Sequence, residues 1–125
     1  MFDKENKCMY RTVKSFSFAV RGLRYVFRGE RNFQIEIFAS ILVFLGMIVF
    51  DVSVLEGVAL VLCVTGVLTL ELINTAVERI MDVLQPRIHP YARIIKDVMA
   101  AAVLVCSGGA LVIGLLIFLP KIFGE

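Results

Sequence analysis

Four polar side chains follow one another along a segment that is otherwise strongly apolar. They are Glu71, Asn74, Glu78 and Asp82, in the stretch ELINTAVERIMD. At about 100° per residue, a helix would bring all four onto one narrow face. Glu71 lies deepest, because it directly follows the uncharged run of residues 57–70. An ionisable group in such a run is costly unless it is paired or faces a cavity, which favours a functional role for Glu71.

Other charged residues are expected at the same membrane edge. Lys96 and Asp97 stand where a basic loop gives way to a long apolar run, and Glu30 precedes another apolar run. Clustered carboxylates of this kind could hold Mg²⁺, which takes oxygen ligands and usually phosphate as well. The chain has no Gly-rich phosphate loop of the GxxxxGK[ST] type.

A plainer interpretation covers part of this pattern. The end of a helix at a membrane surface, with solvated charges, explains Glu78, Arg79 and Asp82 well. Snorkelling at the interface together with a local ion pair explains Lys96 and Asp97. Neither explains Glu71, whose neighbours in the sequence are Leu70 and Leu72.

The composition shows what kind of element must position these residues. The 125-residue chain is 59% hydrophobic and its mean hydropathy is +0.88. A soluble domain of this size could not bury so much apolar surface, so an all-α membrane protein is expected. The length predicts a single domain, residues 1–125.

Periodicity and breakers divide the chain into four helices. Residues from about 7 to 28 predict an amphipathic surface helix, with a basic residue at every seventh position opposite an apolar face. Three membrane spans are then predicted, at about 32–52, 54–84 and 91–119. Pro86 ends the second of these, and Pro90 suits the first turn of the third.

The basic residues predict the orientation. Eight of the thirteen Lys and Arg residues precede residue 32, and four more lie between residues 79 and 96. The positive-inside rule therefore predicts that the N-terminus and the 79–96 loop lie in the cytoplasm, and that the 51–56 turn and the C-terminus lie outside.

The motifs quoted so far resemble those of the bacterial diacylglycerol kinase family, which includes the undecaprenol kinases. The family pattern E-x-x-N-[ST]-A-x-E-x-x-x-D is matched from Glu71 to Asp82, and IKDVMAAAV supplies the Lys-Asp pair that follows it. ERNF and the RGL of residues 21–23 match as well. The resemblance covers roughly residues 10–120.

The resemblance implies a small homotrimeric lipid kinase in the bacterial plasma membrane, built from a surface helix and three spans. Such enzymes transfer the γ-phosphate of MgATP to a lipid hydroxyl, and no nucleic-acid partner is expected. By position, Glu71 is the expected general base, and Glu30 and Glu78 are the expected magnesium ligands. The expected nucleotide-binding residues are Arg11, Phe18, Glu30, Asn74, Glu78, Arg87, His89, Lys96 and Asp97.

The chain departs from the family pattern at two positions. Phe18 stands where some members have Tyr, and Met99 where members usually have Gly or Ala. GERNFQ favours the undecaprenol kinase branch, whereas Glu36 is more typical of the diacylglycerol kinase branch. A different class also stays open at this point, namely a non-catalytic membrane subunit or an ion-conducting oligomer with carboxylates in the membrane.

Overall fold

The computed structural model describes residues 2–84 and 90–124, and this part of the chain is entirely helical apart from short connections. Its helices are α1 (Phe2–Gly29), α2 (Arg31–Val49), α3 (Val54–Leu84) and α4 (Pro90–Ile122). The last three are long and apolar enough to cross a membrane. The expected architecture of four helices with three candidate spans is therefore confirmed.

Helix α1 meets α2 at a single non-helical residue, Glu30. Its backbone is extended, with φ −115° and ψ 112°. The side-chain amide of Gln34 donates to the Phe27 carbonyl at 2.7 Å and so bridges the break. The surface helix starts at Phe2, earlier than the expected residue 7.

The turn between α2 and α3 is built from two capping motifs. Val52 N–H donates to the Met47 carbonyl across Asp51, which has a φ of 47°. This is the left-handed ending of a Schellman motif. Ser53 and Glu56 then exchange side-chain and backbone hydrogen bonds, at 3.0 and 3.2 Å, as a capping box at the start of α3. For this reason α2 ends at Val49, not near the expected residue 52.

Helix α4 begins at Pro90 and continues through Pro120 to Ile122, three residues beyond the expected end. Helix α4 has more extensive contact with α3 than α2 has with α3. At the end of the bundle that holds the α2–α3 turn, Lys121 Nζ lies 3.1 Å from Glu56 Oε2. This ion pair joins the last turn of α4 to the first turn of α3.

The burial pattern of the single chain is inverted relative to a soluble protein. Among the described residues only four apolar side chains are buried: Val26, Phe33, Leu60 and Ala92. An equal number of buried residues is polar, namely Ser40, Glu71, Asn74 and Thr75. Most of the large apolar side chains on all four helices are exposed. These outer faces suit lipid or other copies of the chain.

Candidate active site

The candidate site lies at what we call the Glu30 end of the bundle. This end comprises the α1–α2 junction, the last turns of α3 and the first turns of α4. It is the end where the polar stripe predicted on α3 emerges. Because α3 is one continuous helix through residue 84, the stripe is held in register by the helix itself.

Glu71 is the most deeply placed member of the stripe. Its residue is 2% exposed, and it is the largest fully buried side chain among those the structure describes. Within that part of the chain, Glu71 Oε2 has no hydrogen-bond partner. An uncompensated buried carboxylate is expensive, so its retention here agrees with a chemical role.

Asn74 and Thr75 continue the buried part of the stripe. Thr75 Oγ1 donates to the Glu71 carbonyl at 3.0 Å, a local bond within the helix. Asn74 Nδ2 lies 3.5 Å from Glu78 Oε1, whereas Asn74 Oδ1 is buried without a partner among the described residues. The Asn74 amide therefore reaches Glu78, the next carboxylate along the stripe and the more accessible one.

Carboxylates from two helices surround Glu71. Glu78 on α3, Glu30 at the helix junction and Glu36 on α2 all lie close enough to interact with it electrostatically. Each of these carboxylates repels Glu71 when both are ionised, and a bound cation would relieve that repulsion.

The structure pairs two cations of this end with carboxylates in ways that the sequence did not predict. Arg79 Nη2 lies 2.6 Å from Glu30 Oε1, and its Nε donates to the Tyr25 hydroxyl at 3.0 Å. Lys96 Nζ lies 2.6 Å from Asp82 Oδ1, so α4 is tied to α3 there. The plainer interpretation of solvated charges still fits the Arg79 side chain, which is 42% exposed, whereas Lys96 pairs with Asp82 and not with the adjacent Asp97.

The remaining expected site residues are more peripheral. Arg11 and Phe18 are exposed on α1, and Asp97 is exposed on α4. Arg87 and His89 lie outside the described residues. The structure thus brings Glu30, Asn74 and Glu78 to Glu71, and leaves Arg11, Phe18 and Asp97 facing outward.

The donor set at the Glu30 end fits a magnesium ion shared with phosphate. Over residues 2–84 and 90–124, no group of three or more His, Cys, Asp or Glu side chains comes together as a metal site. Mg²⁺ is commonly held by one or two carboxylates together with substrate phosphates. Glu30 and Glu78 could supply these carboxylates.

A cavity of about 440 Å³ lies between α2, α3 and α4, and no sequence pattern predicted it. Its wall is largely apolar, with side chains such as Val43, Leu60 and Leu111. Glu36 also lines it, and the Glu36 Oε2 atom is buried with no partner in the described chain. The cavity therefore connects the apolar part of the bundle to the neighbourhood of Glu71.

Comparison with known proteins decides the family. The profile of the prokaryotic diacylglycerol kinases matches residues 17–118. The chain belongs to this family. It is accordingly a lipid kinase of a membrane, and the alternative of a non-catalytic subunit or ion-conducting oligomer is set aside.

Two relatives of the kinase show the range of its similarities. It is 40% identical to the undecaprenol kinase of Bacillus subtilis over 112 residues, which are 90% of this chain and 91% of the relative. It is 33% identical to a diacylglycerol kinase of a Synechocystis species over 109 residues, 86% of this chain. The kinase spans only 62% of that second relative.

Proposed function

We propose that the kinase phosphorylates undecaprenol, with ATP as donor and Mg²⁺ as cofactor. The observation that carries the choice of acceptor is the 40% identity to an undecaprenol kinase over nine-tenths of the chain. Diacylglycerol is the second candidate, supported by the 33% identity to a diacylglycerol kinase.

In this proposal Glu71 is the general base. Its carboxylate is buried beside apolar helix faces, and the Oε2 atom has no partner in the described chain. A lipid hydroxyl that approached this oxygen could donate its proton to it as the hydroxyl oxygen attacks the γ-phosphorus. Burial also keeps water, a competing acceptor, away from this carboxylate.

The carboxylates of Glu30 and Glu78 would hold Mg²⁺, which neutralises charge on the phosphates when bound. Asn74 keeps Glu78 oriented through its amide. Lys96, fixed by Asp82 at 2.6 Å, would contribute positive charge for the phosphates. The family resemblance alone supports the proposal of five further nucleotide contacts, namely Arg11, Phe18, Arg87, His89 and Asp97.

The cavity supports a long-chain acceptor. A hydrocarbon chain lying along its apolar wall would meet Glu36 at one end, and Glu36 is within electrostatic range of Glu71. Chains with many apolar carbons gain free energy from such burial, about 0.8 kcal/mol per buried CH₂ group. In this proposal phosphoryl transfer takes place at the Glu30 end, which would face the cytoplasm.

A side-by-side assay tests the acceptor. Purified kinase in matched micelles receives undecaprenol or diacylglycerol at equal mole fraction, with labelled ATP and Mg²⁺, and initial rates of lipid labelling are compared. We expect the larger kcat/KM with undecaprenol. A clear preference for diacylglycerol would replace the proposed acceptor and leave the lipid kinase assignment intact.

A further inference from the structure

Helix α1 has few attachments to the rest of the molecule. Of its described residues only Val26 is buried, and the other side chains of α1 are exposed. Next to Val26, Tyr25 reaches α3 through Arg79. The direction in which α1 leaves the bundle therefore depends on contacts confined to its last turns.

Arg79 makes contacts with both sides of the α1–α2 junction. Its Nε donates to the Tyr25 hydroxyl at 3.0 Å, and its guanidinium carbon lies 5.9 Å from the centre of the Tyr25 ring. Its Nη2 pairs with Glu30 at 2.6 Å. The fork of an arginine can make both contacts at once, because different nitrogen atoms serve them.

The contact matters because of what α1 carries. At 1.5 Å per residue, Phe18 lies about 10 Å from Tyr25 along the helix, and Arg11 about 21 Å. When the angle of α1 changes at Tyr25, each of these two side chains moves in proportion to its distance from Tyr25. Arg11 therefore moves about twice as far as Phe18. Both are among the proposed nucleotide contacts.

We propose that Arg79 is a positioning residue that fixes α1 over the Glu30 end and thereby sets the affinity for ATP without touching the nucleotide. This inference rests on the proposed function for its kinetic consequence. The mechanical part, that Arg79 holds α1, stands on the contacts with Tyr25 and Glu30.

A distance measurement tests the mechanical part without any activity. Cys63→Ala and Cys106→Ala first remove the other two native cysteines. One spin label is attached to the native Cys8 on α1, and a second to the cysteine introduced on α3 by Val83→Cys. Labelled chains are diluted with unlabelled, cysteine-free chains in nanodiscs, and the distance distribution is recorded by pulsed electron resonance. We expect Arg79→Gln and Tyr25→Phe to broaden it markedly.

Two further variants separate the contacts. Arg79→Lys keeps a cation for Glu30 but offers a single nitrogen, so it should broaden the distribution as Tyr25→Phe does. Arg93→Gln removes an exposed cation from the first turn of α4, which belongs to the Glu30 end as well. This variant should leave the distance distribution unchanged. An unchanged distribution in both Arg79→Gln and Tyr25→Phe would overturn the proposal.

Kinetics test the consequence. For Tyr25→Phe and Arg79→Lys we expect the KM for ATP to rise about three- to tenfold, the scale of one lost polar contact, with kcat and the KM for the lipid nearly unchanged. A general loss of folding would lower kcat and affect both substrates. A broadened distance distribution with an unchanged KM for ATP would refute the link from α1 to the nucleotide.

The two proposals can fail separately. If wild-type kinase labels neither undecaprenol nor diacylglycerol, the proposed acceptors fail, while the spin-label distances still decide whether Arg79 holds α1. If the wild type is active and Arg79 variants show wild-type distances, only the positioning role of Arg79 fails.

Discussion

At the residue scale, Glu71 combines a carboxylate with almost complete burial, at 2% exposure. A group placed in this way lowers stability, because desolvation of the charge is not repaid by a hydrogen bond to Oε2 within the described chain. Functional residues often carry such a cost. The cost makes function and stability separable by mutation at this position.

We predict that Glu71→Gln lowers phosphoryl transfer by roughly 10²- to 10⁴-fold, the usual contribution of a general base. The amide keeps the shape of the side chain and removes the proton acceptor. Because the amide is neutral, the melting temperature in detergent should stay the same or rise. Initial rates and a thermal melt of the same preparation measure both quantities.

Glu56→Gln provides the matched control. It makes the same chemical change at the other end of α3, where Glu56 pairs with Lys121 at 3.1 Å. Its activity should stay close to that of the wild type. Near-normal turnover of Glu71→Gln would remove the carboxylate from the mechanism.

We also predict that activity requires Mg²⁺ or a similar divalent ion, and that Glu30→Gln and Glu78→Gln each raise the concentration needed for half-maximal rate. Each variant removes one charged oxygen ligand from the proposed pair. Titration of Mg²⁺ at saturating ATP measures the change, with Glu5→Gln on α1 as control. If both variants kept the wild-type metal dependence, the ion would be held elsewhere.

Sequence periodicity was sufficient to predict which site residues on α3 lie on the same face of the helix. Glu71, Asn74 and Glu78 share a face because α3 is continuous, and the structure shows them there. The pairing of Arg79 with Glu30 was beyond sequence reasoning, since it depends on how α1 leaves the junction at Glu30. Two residues 49 apart in sequence meet only through that bend.

At the element scale, the Phe118 side chain of α4 packs against α2 near one end of the cavity. A Cβ atom added at Gly46 would lie 3.1 Å from Phe118 Cε1, tighter than ordinary contact. The rings of Phe50 and Phe118 lie 5.9 Å apart in a tilted arrangement at the same place. The absence of a side chain at Gly46 therefore leaves room for the Phe118 ring against α2.

We predict that Gly46→Ala lowers the free energy of unfolding by about 1 kcal/mol, at the low end for overpacking, because the Phe118 ring can shift by a few tenths of an ångström. Gly66→Ala is the matched control, since its Cβ would lie 3.8 Å from Cys106 Sγ, an ordinary contact. Thermal melts in one detergent compare the two. Equal stability of both variants would contradict the close approach at Gly46.

Helix number and type were predictable because each helix is a long run with its own periodicity and breakers. The residue at which α2 ends was harder to predict, since the residues up to Val52 are compatible with a helix. It is the left-handed conformation at Asp51, with a φ of 47°, that stops α2 at Val49. The Ser53–Glu56 capping box is visible in the sequence as S-x-x-E, and it agrees with the predicted start of this helix at residue 54.

At the scale of the whole molecule, the helices present apolar faces that one chain does not cover. Added Cβ atoms at Gly108 and Gly109 on α4 would meet nothing within 4 Å. Small residues of this kind allow helices of separate chains to pack closely in lipid. We propose on this basis that the chain forms an oligomer, and the number of three subunits rests on the family resemblance alone.

We predict that the active sites are shared between neighbouring chains, with Glu71 from one chain and Asp97 from the next. Glu71 is buried within its own chain, whereas Asp97 faces outward. Two inactive variants, Glu71→Gln and Asp97→Asn, are mixed in equal amounts before assembly. With random cyclic assembly roughly one site in four would contain both wild-type residues, so about that fraction of activity should return.

Crosslinking of differently tagged chains must show that mixed oligomers have formed. Mixed oligomers that stay inactive at every ratio would mean that each chain supplies both residues of its own site. The same preparation gives the number of subunits, from the mass of the fully crosslinked species.

The scarcity of buried apolar side chains in the isolated chain has a thermodynamic consequence. Four such residues among those described mean that separating the helices exposes little new apolar surface. Heat-capacity changes and denaturant m-values scale with that newly exposed surface, so both should be small for a dissociated chain with its helices intact. Resistance to heat would then be set mainly by the length of the surrounding lipid or detergent tails and by protein concentration.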